Sequence, residues 1–137
     1  MRTLVTGATG YIGGRLVPEL LRAGHEVRVL ARHPERLGDR TWVDDVEIVA
    51  GDATDPVAVR EALAGIDVAY YLMHSLMQGD TFEQTEHEIA RLFGETARSE
   101  KVGRIVYLGG LQPADPPADL SHHMRSRGEV GRILAED

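Results

Sequence analysis

Three glycines at intervals of three, Gly7, Gly10 and Gly13, stand between an apolar run that ends at Thr6 and a run of helical periodicity that begins at Tyr11. Few features restrict a chain more. A strand that passes at once into a helix needs a tight turn, a backbone that can approach itself closely, and room to seat the helix on the strand. Repeated glycine supplies all three. Before the turn, Leu4 and Val5 lie in Arg2-Thr3-Leu4-Val5-Thr6, an apolar run of the kind that forms a buried parallel strand. After it, Ile12, Leu16, Val17, Leu20 and Leu21 recur at helical spacing. Pro18 falls inside that helix and removes one backbone donor, and Gly24 is placed to cap its end. Val27, Val29 and Ala31 then mark a second strand in Glu26-Val27-Arg28-Val29-Leu30-Ala31-Arg32.

The alternation continues to the end of the chain. His33 to Arg40 reads as a polar connection with a short helix begun at Pro34, and Val46 to Ala50 as a third strand closed by Gly51-Asp52. Thr54 or Asp55 can cap the next helix, with Pro56 in its first turn and Val59, Ala62 and Leu63 on its apolar face. Asp67 to Met73 reads as a fourth strand, and Thr81 to Glu100 as a long amphipathic helix carrying Phe82, Ile89, Leu92 and Phe93. Its Glu83, Glu86, Glu88 and Arg91 read as a solvated face. Arg104 to Leu108 is the fifth strand, followed by a Pro-rich loop at Gln112 to Asp119 and a last helix from about Leu120 to Ala135. Strands alternating with helices predict an α/β fold: a three-layer, Rossmann-like parallel sheet of about five strands with helices on both faces. Doubly wound dinucleotide folds commonly have six. Residues 1–137 are therefore expected to be one nucleotide-binding Rossmann domain lacking a C-terminal substrate half. The sheet edge left by a missing strand would favour self-association.

Composition narrows the partners. The formal charge is −7, from 22 acids against 15 bases, so no overall basic surface invites nucleic acid. With no cysteine, disulfides, thiolate chemistry and cysteine-based metal sites are excluded. His74, His87, His122 and His123 follow no metal-binding spacing, and no metal is expected. No run of 18 apolar residues predicts a membrane span, and because the sequence enters a strand at once, no signal peptide is expected. A cytoplasmic location is the expectation.

The glycine turn is a dinucleotide-binding layout. Its backbone can approach a pyrophosphate, and the helix N-terminus offers free amides and a favourable dipole. Gly7, Thr9, Gly10, Tyr11, Ile12 and Gly13 are the candidate contacts, with Thr6 beside them. An NAD site usually closes its second strand with an acid that binds the ribose hydroxyls. Here Leu30-Ala31-Arg32 stands in that place, followed by His33 and, nearby, Arg36. Arg32 can grip a 2′-phosphate through a bidentate contact or stack on adenine, which favours NADP(H) over NAD(H). The alternative for Arg32 is a solvated surface arginine. Asp52, with Ala53 after it, can reach the adenine amino group or serve as a strand-end turn or helix cap. Met73 and His74 follow the fourth strand, in the crevice where such sheets bind ligands. Met73, with Tyr70, Tyr71 and Met77, can line that crevice or the core. His74 can face the nicotinamide half or a substrate, or be a structural histidine.

These motifs resemble the extended and atypical short-chain dehydrogenase/reductase superfamily. Thr6-Gly7-Ala8-Thr9-Gly10-Tyr11-Ile12-Gly13 looks like its nucleotide signature, and Gly51-Asp52-Ala53-Thr54-Asp55 like its adenine-side motif. Tyr70-Tyr71-Leu72-Met73-His74-Ser75-Leu76 and Val106-Tyr107-Leu108-Gly109-Gly110-Leu111 are similar to the NmrA-like, NAD(P)H-binding branch. Working enzymes of the superfamily place Ser or Thr after the fifth strand, where this chain has Gly109 and Gly110. They place Tyr and Lys four residues apart on the next helix, where this chain has His123 and Arg127 in His123-Met124-Arg125-Ser126-Arg127. His123 can exchange protons near neutral pH. Arg127, one turn on, can hold a phosphate or ribose but does not exchange protons readily. The resemblance implies the NADP(H)-binding domain of an atypical oxidoreductase acting on an unidentified small molecule, with His123 and Arg127 as its candidate catalytic pair. The alternative it implies is a non-catalytic, nucleotide-sensing or regulatory binding protein.

Overall fold

The described strands are short, and the central ones turn apolar side chains to both surfaces of the sheet, so helices must cover both. A computed structural model describes residues 1–73, 80–108 and 130–135, the side chains of residues 80–84 excepted. Five parallel strands, β1 (Arg2–Thr6), β2 (Glu26–Ala31), β3 (Glu47–Ala50), β4 (Val68–Tyr71) and β5 (Arg104–Tyr107), lie in the order β3-β2-β1-β4-β5. Helices α1 (Tyr11–Arg22), α2 (Pro56–Leu63) and α3 (Asp80–Ser99) connect them, and residues 130–135 are helical. This is the three-layer, doubly wound parallel fold expected from the sequence.

The two faces form separate cores. Leu4, Leu30, Val49, Ala69 and Tyr71 point to one side, where α2 brings Val59, Ala62 and Leu63, and α3 brings Ala90, Phe93 and Ala97. Val130 and Leu134 complete that core. Val5, Val27, Val29 and Ala31 point to the other side and meet Val17 and Leu20 of α1, with Leu37 and Trp42 from the β2–β3 connection. The alternation is the period of two that a strand imposes.

Local chemistry sets the element ends. Asp55 accepts a hydrogen bond from the Val57 amide at 3.0 Å and so caps α2, which settles the choice between Thr54 and Asp55. Ala23 is the C-cap of α1, and Gly24, at φ +89°, is the left-handed residue that follows it. Pro18 is accommodated within α1. The Pro34 signal gives a 3-10 turn, Pro34–Leu37, and a second, Val43–Asp45, precedes β3. The expected fourth strand is shortened to Val68–Tyr71. The expectation that Glu86 is solvated is overturned: only 6% of it is exposed, on the face of α3 turned to the sheet. Helical periodicity marks charged residues as outward only while the apolar stripe stays narrow, and here one acid lies within it. Glu88 and Arg91 are exposed as expected.

Candidate functional site: the glycine turn and the carboxyl ends of the central strands

Because β2 lies on one side of β1 and β4 on the other, the strand order reverses at β1. Ligands of open α/β sheets bind at such a switch point, outside the carboxyl ends of the strands. The glycine turn leaves β1 there. Gly7 has φ +76°, a conformation that side chains rarely adopt, and a Cβ on it would come within 3.1 Å of the Leu72 carbonyl oxygen. A Cβ on Gly13 would collide with the Gly7 carbonyl oxygen, so helix and strand touch backbone to backbone. The Gly10 amide closes the turn onto the Gly7 carbonyl at 3.0 Å.

What remains at the start of α1 suits an anion. Its N-cap is Gly10, which offers no side-chain cap, and its first turn holds no acidic residue. The first amides of the helix and the positive end of its dipole are therefore left to an external acceptor. The donors fit the phosphates of a dinucleotide, and Gly7 and Gly13 keep side chains out of the turn. Tyr11 and Ile12 are 74% and 49% exposed at its rim. The Arg15 guanidinium lies 4.5 Å from the centre of the Tyr11 ring.

Thr6 has a different task. Fully buried, its hydroxyl donates to the Tyr70 carbonyl at 2.9 Å and accepts from the Leu72 amide at 3.2 Å, tying the end of β1 to that of β4. The side chain thus holds the two strands that flank the switch point in register.

On the β2 side, Arg32 and Asp52 are brought together, Nη1 to Oδ2 at 3.7 Å, with both side chains largely open to solvent. Asp52 also accepts from the amide and the hydroxyl of Thr54, each at 2.9 Å. The Thr54 amide is the main reason its carboxyl sits below the ordinary carboxylate range; partial burial opposes this, and the Thr54 hydroxyl and Arg32 assist. The strand-end turn left open for Asp52 is therefore present. Ala53 is half-buried beside it. Met73 is half-buried and packs against the core on the α2 and α3 side. His74, His123 and Arg127 lie outside the described residues.

Two features escaped the sequence. The Arg40 guanidinium donates to the Thr9 carbonyl at 3.2 Å, which places a cation on the glycine turn from 31 residues away. No local pattern reports such a contact. The other is a polar island beneath the carboxyl ends of β4 and β5. The Tyr71 ring meets Phe93 at 5.0 Å and Tyr107 at 5.8 Å, both edge to face. Burial, with the Glu86 charge and Tyr107 adding to it, pushes the Tyr71 hydroxyl well above its ordinary pKa. The neutral phenol is thus fixed throughout the physiological range.

The chain belongs to an NAD(P)H-binding family, whose model matches residues 7–136. Among curated proteins it is 36% identical over 113 residues to sterol demethylase protein B of Methylococcus capsulatus, covering 78% of this chain and 34% of that protein. In fold it is similar to a short-chain dehydrogenase/reductase superfamily protein from Agrobacterium tumefaciens with bound NAD (TM-score 0.77, 20% identity, 98% of this chain and 44% of that one). It is also similar to the Citrobacter triphenylmethane reductase complexed with NADP(H) (TM-score 0.74, 23% identity, 98% and 46%). The chain thus spans about a third of the curated relative and less than half of each solved neighbour. The fold is Rossmann-like, and these two solved neighbours carry NAD in one case and NADP(H) in the other. Among the described residues, no helix is long and apolar enough to cross a membrane.

Proposed function

We propose that residues 1–137 form the NADP(H)-binding domain of an atypical, NmrA-like oxidoreductase that works on a small-molecule substrate in the cytoplasm. The observation that carries the preference for NADP(H) is the carboxyl end of β2. The residue that follows β2 is Arg32, not the acid that would bind a 2′-hydroxyl and repel a 2′-phosphate. Gly7, Gly10 and Gly13 with the first amides of α1 would hold the pyrophosphate. Thr9, Tyr11 and Ile12 would flank it, Asp52 and Ala53 the adenine, and Met73 and His74 the nicotinamide side. The cofactor would supply or accept hydride. The chain's own part is to bind it, exclude water from it and orient its reactive ring.

The test is calorimetric titration of the chain with NADPH and NADH, beside Arg32→Ala. Micromolar NADPH binding, poorer NADH binding and a loss of NADPH affinity in the variant are expected. Equal affinity for both nucleotides would overturn the preference, and binding of neither by folded chain would overturn the reading itself. A second reading, a nucleotide-sensing protein without turnover, is favoured by His123 and Arg127 standing where the superfamily has Tyr and Lys. NADPH binding without oxidation or reduction of any carbonyl or enone substrate, in a protein that also carries the substrate half, would select it.

A further inference from the structure

The amino ends of the strands carry a polar groove, at the opposite end of the sheet from the glycine turn. Arg2, Glu26 and Glu47 open β1, β2 and β3, and with Arg28 they share the α2 face of the sheet by the strand period of two. Parallel register sets Arg2 beside Glu26 and Arg28 beside Glu47. Each pair closes through the arginine Nε, at 2.9 Å and 3.0 Å. The groove along them has a volume of about 450 Å³, within the roughly 300–1,000 Å³ of small-molecule sites. Val27 and Ile66, both buried, and the half-buried Leu21 give it an apolar wall.

Arg28 is committed on one side and open on the other. Its side chain is only 14% exposed. Nη1 donates to the Glu61, Ala62 and Ala64 carbonyls at 2.7–3.3 Å, at the end of α2, and Nε donates to Glu47. A guanidinium has five N–H donors, and among the described residues nothing accepts from Nη2. Two donors of a largely buried cation therefore remain for an acceptor in the groove that Arg28 lines. Arg2 spends only Nε on Glu26, and among the described residues its Nη atoms are open as well.

The groove also holds an acid without a counter-charge. Asp45 ends the 3-10 turn before β3 and is exposed, and among the described residues its carboxylate has no ion pair. Arg2 and Arg28 against Glu26, Glu47 and Asp45 leave one negative charge in excess. A simple anion would reach the open guanidinium donors but face that excess. A simple cation would be drawn to Asp45 and leave the arginine donors unmet. A molecule that carries a carboxylate and an ammonium answers both, and an apolar side chain on it would cover Leu21, Val27 and Ile66.

We infer that this groove binds a small zwitterion with an apolar side chain, of the α-amino acid class, with Arg28 Nη2 and Arg2 taking the carboxylate and Asp45 the ammonium. The site is independent of the nucleotide reading, since none of its residues belongs to the glycine turn or to the carboxyl ends of the strands.

The experiment titrates the chain by calorimetry with three probes of one shape: L-leucine, 4-methylpentanoate, which lacks the ammonium, and 3-methylbutylamine, which lacks the carboxylate. Leucine should bind, and each singly charged probe should bind roughly tenfold to a hundredfold more weakly, the range for a charge-assisted contact. Asp45→Asn should bring leucine down to the level of 4-methylpentanoate without weakening 4-methylpentanoate itself. Arg2→Gln should weaken leucine and 4-methylpentanoate alike and leave the amine as it was. Arg28 stays in place because it also holds the end of α2, and thermal melts establish that both variants, changed at exposed positions, are folded. Folded chain that binds none of the three probes would overturn the inference. Equal binding of leucine and 4-methylpentanoate, or leucine binding that neither variant weakens, would overturn it too. Leucine that competes with NADPH and is indifferent to Asp45→Asn would lie in the nucleotide site, which counts equally against it.

Discussion

Asp52 illustrates how one carboxylate can be built into the stability of a strand end. Its carboxylate closes a turn on Thr54 and faces Arg32, and these contacts hold its folded-state pKa below the unfolded value. The ionised form therefore adds stability above the unfolded pKa, near 4, and that increment is lost as pH falls through the lower, folded value. Asp52→Asn keeps an acceptor for Thr54 while removing the charge. Wild type should exceed the variant in urea midpoint at pH 7, and the gap should close as the pH is taken below 4. A gap of constant size across that range would show that the charge of Asp52 has no part in it. At this scale, legibility follows distance along the chain. Asp52 and Thr54 are two residues apart, and a strand-end turn could be anticipated. Arg40 and Thr9 meet only because two 3-10 turns and the buried Leu37 and Trp42 fold the β2–β3 connection back over α1. Glu86 misled for a related reason: nothing adjacent in sequence announces that Tyr71 will lie near it.

Helices α1 and α2 begin in opposite ways, and the contrast separates structure from function. Helix α2 has Asp55 as its cap, Pro56 in its first turn and a hydrogen bond donated by the Val57 amide to the cap. Helix α1 has Gly10 and nothing more. A capping side chain is worth about 1 kcal/mol. The absence of one at α1, next to a chain that uses it well at α2, leaves amides free for a ligand. Asp55→Ala should thus lower stability by about 1 kcal/mol, read as a smaller urea midpoint with an unchanged slope, and leave nucleotide affinity as it was. A fall in nucleotide affinity of the folded variant would mean that α2 is coupled to the site. Both helix starts were readable from the sequence because capping and glycine signals are local and carry their own chemistry. The end of β4 was not: the nearly continuous apolar run from Asp67 to Met73 suggested a longer strand, whereas pairing to β1 and β5 extends only over Val68–Tyr71. Apolar composition reports burial, and pairing length is decided by neighbours.

For the molecule as a whole, one sheet divides two cores and carries the glycine turn at its switch point, so among the described residues the two faces are joined through the strands. Phe93 lies in the core of α2 and α3, 1% exposed and in edge-to-face contact with Tyr71. The glycine turn and Arg40 lie on the face of α1. Truncating a buried phenylalanine costs about 3–5 kcal/mol, through lost transfer energy and the cavity left behind. That is a large share of the roughly 5–15 kcal/mol that holds a domain together. If the sheet makes the two cores one cooperative unit, Phe93→Ala should lower the urea midpoint sharply, keep the slope of the transition, and melt the α1 face together with the α3 face. Trp42, the single tryptophan, is buried in the α1-side core and reports that face by fluorescence. Far-ultraviolet circular dichroism follows the helices of both. Coincident transitions by the two probes, with a single slope, are expected. A tryptophan signal that stays native while helicity is lost would show instead that the α1 face, with β1, β2 and the glycine turn, folds apart from the α3 face. Thr6 makes coincidence the stronger expectation. It is fully buried and bonded to the backbone of Tyr70 and Leu72, so the strand that leads into the glycine turn cannot separate from β4 without breaking the bonds of its hydroxyl to the Tyr70 carbonyl and the Leu72 amide.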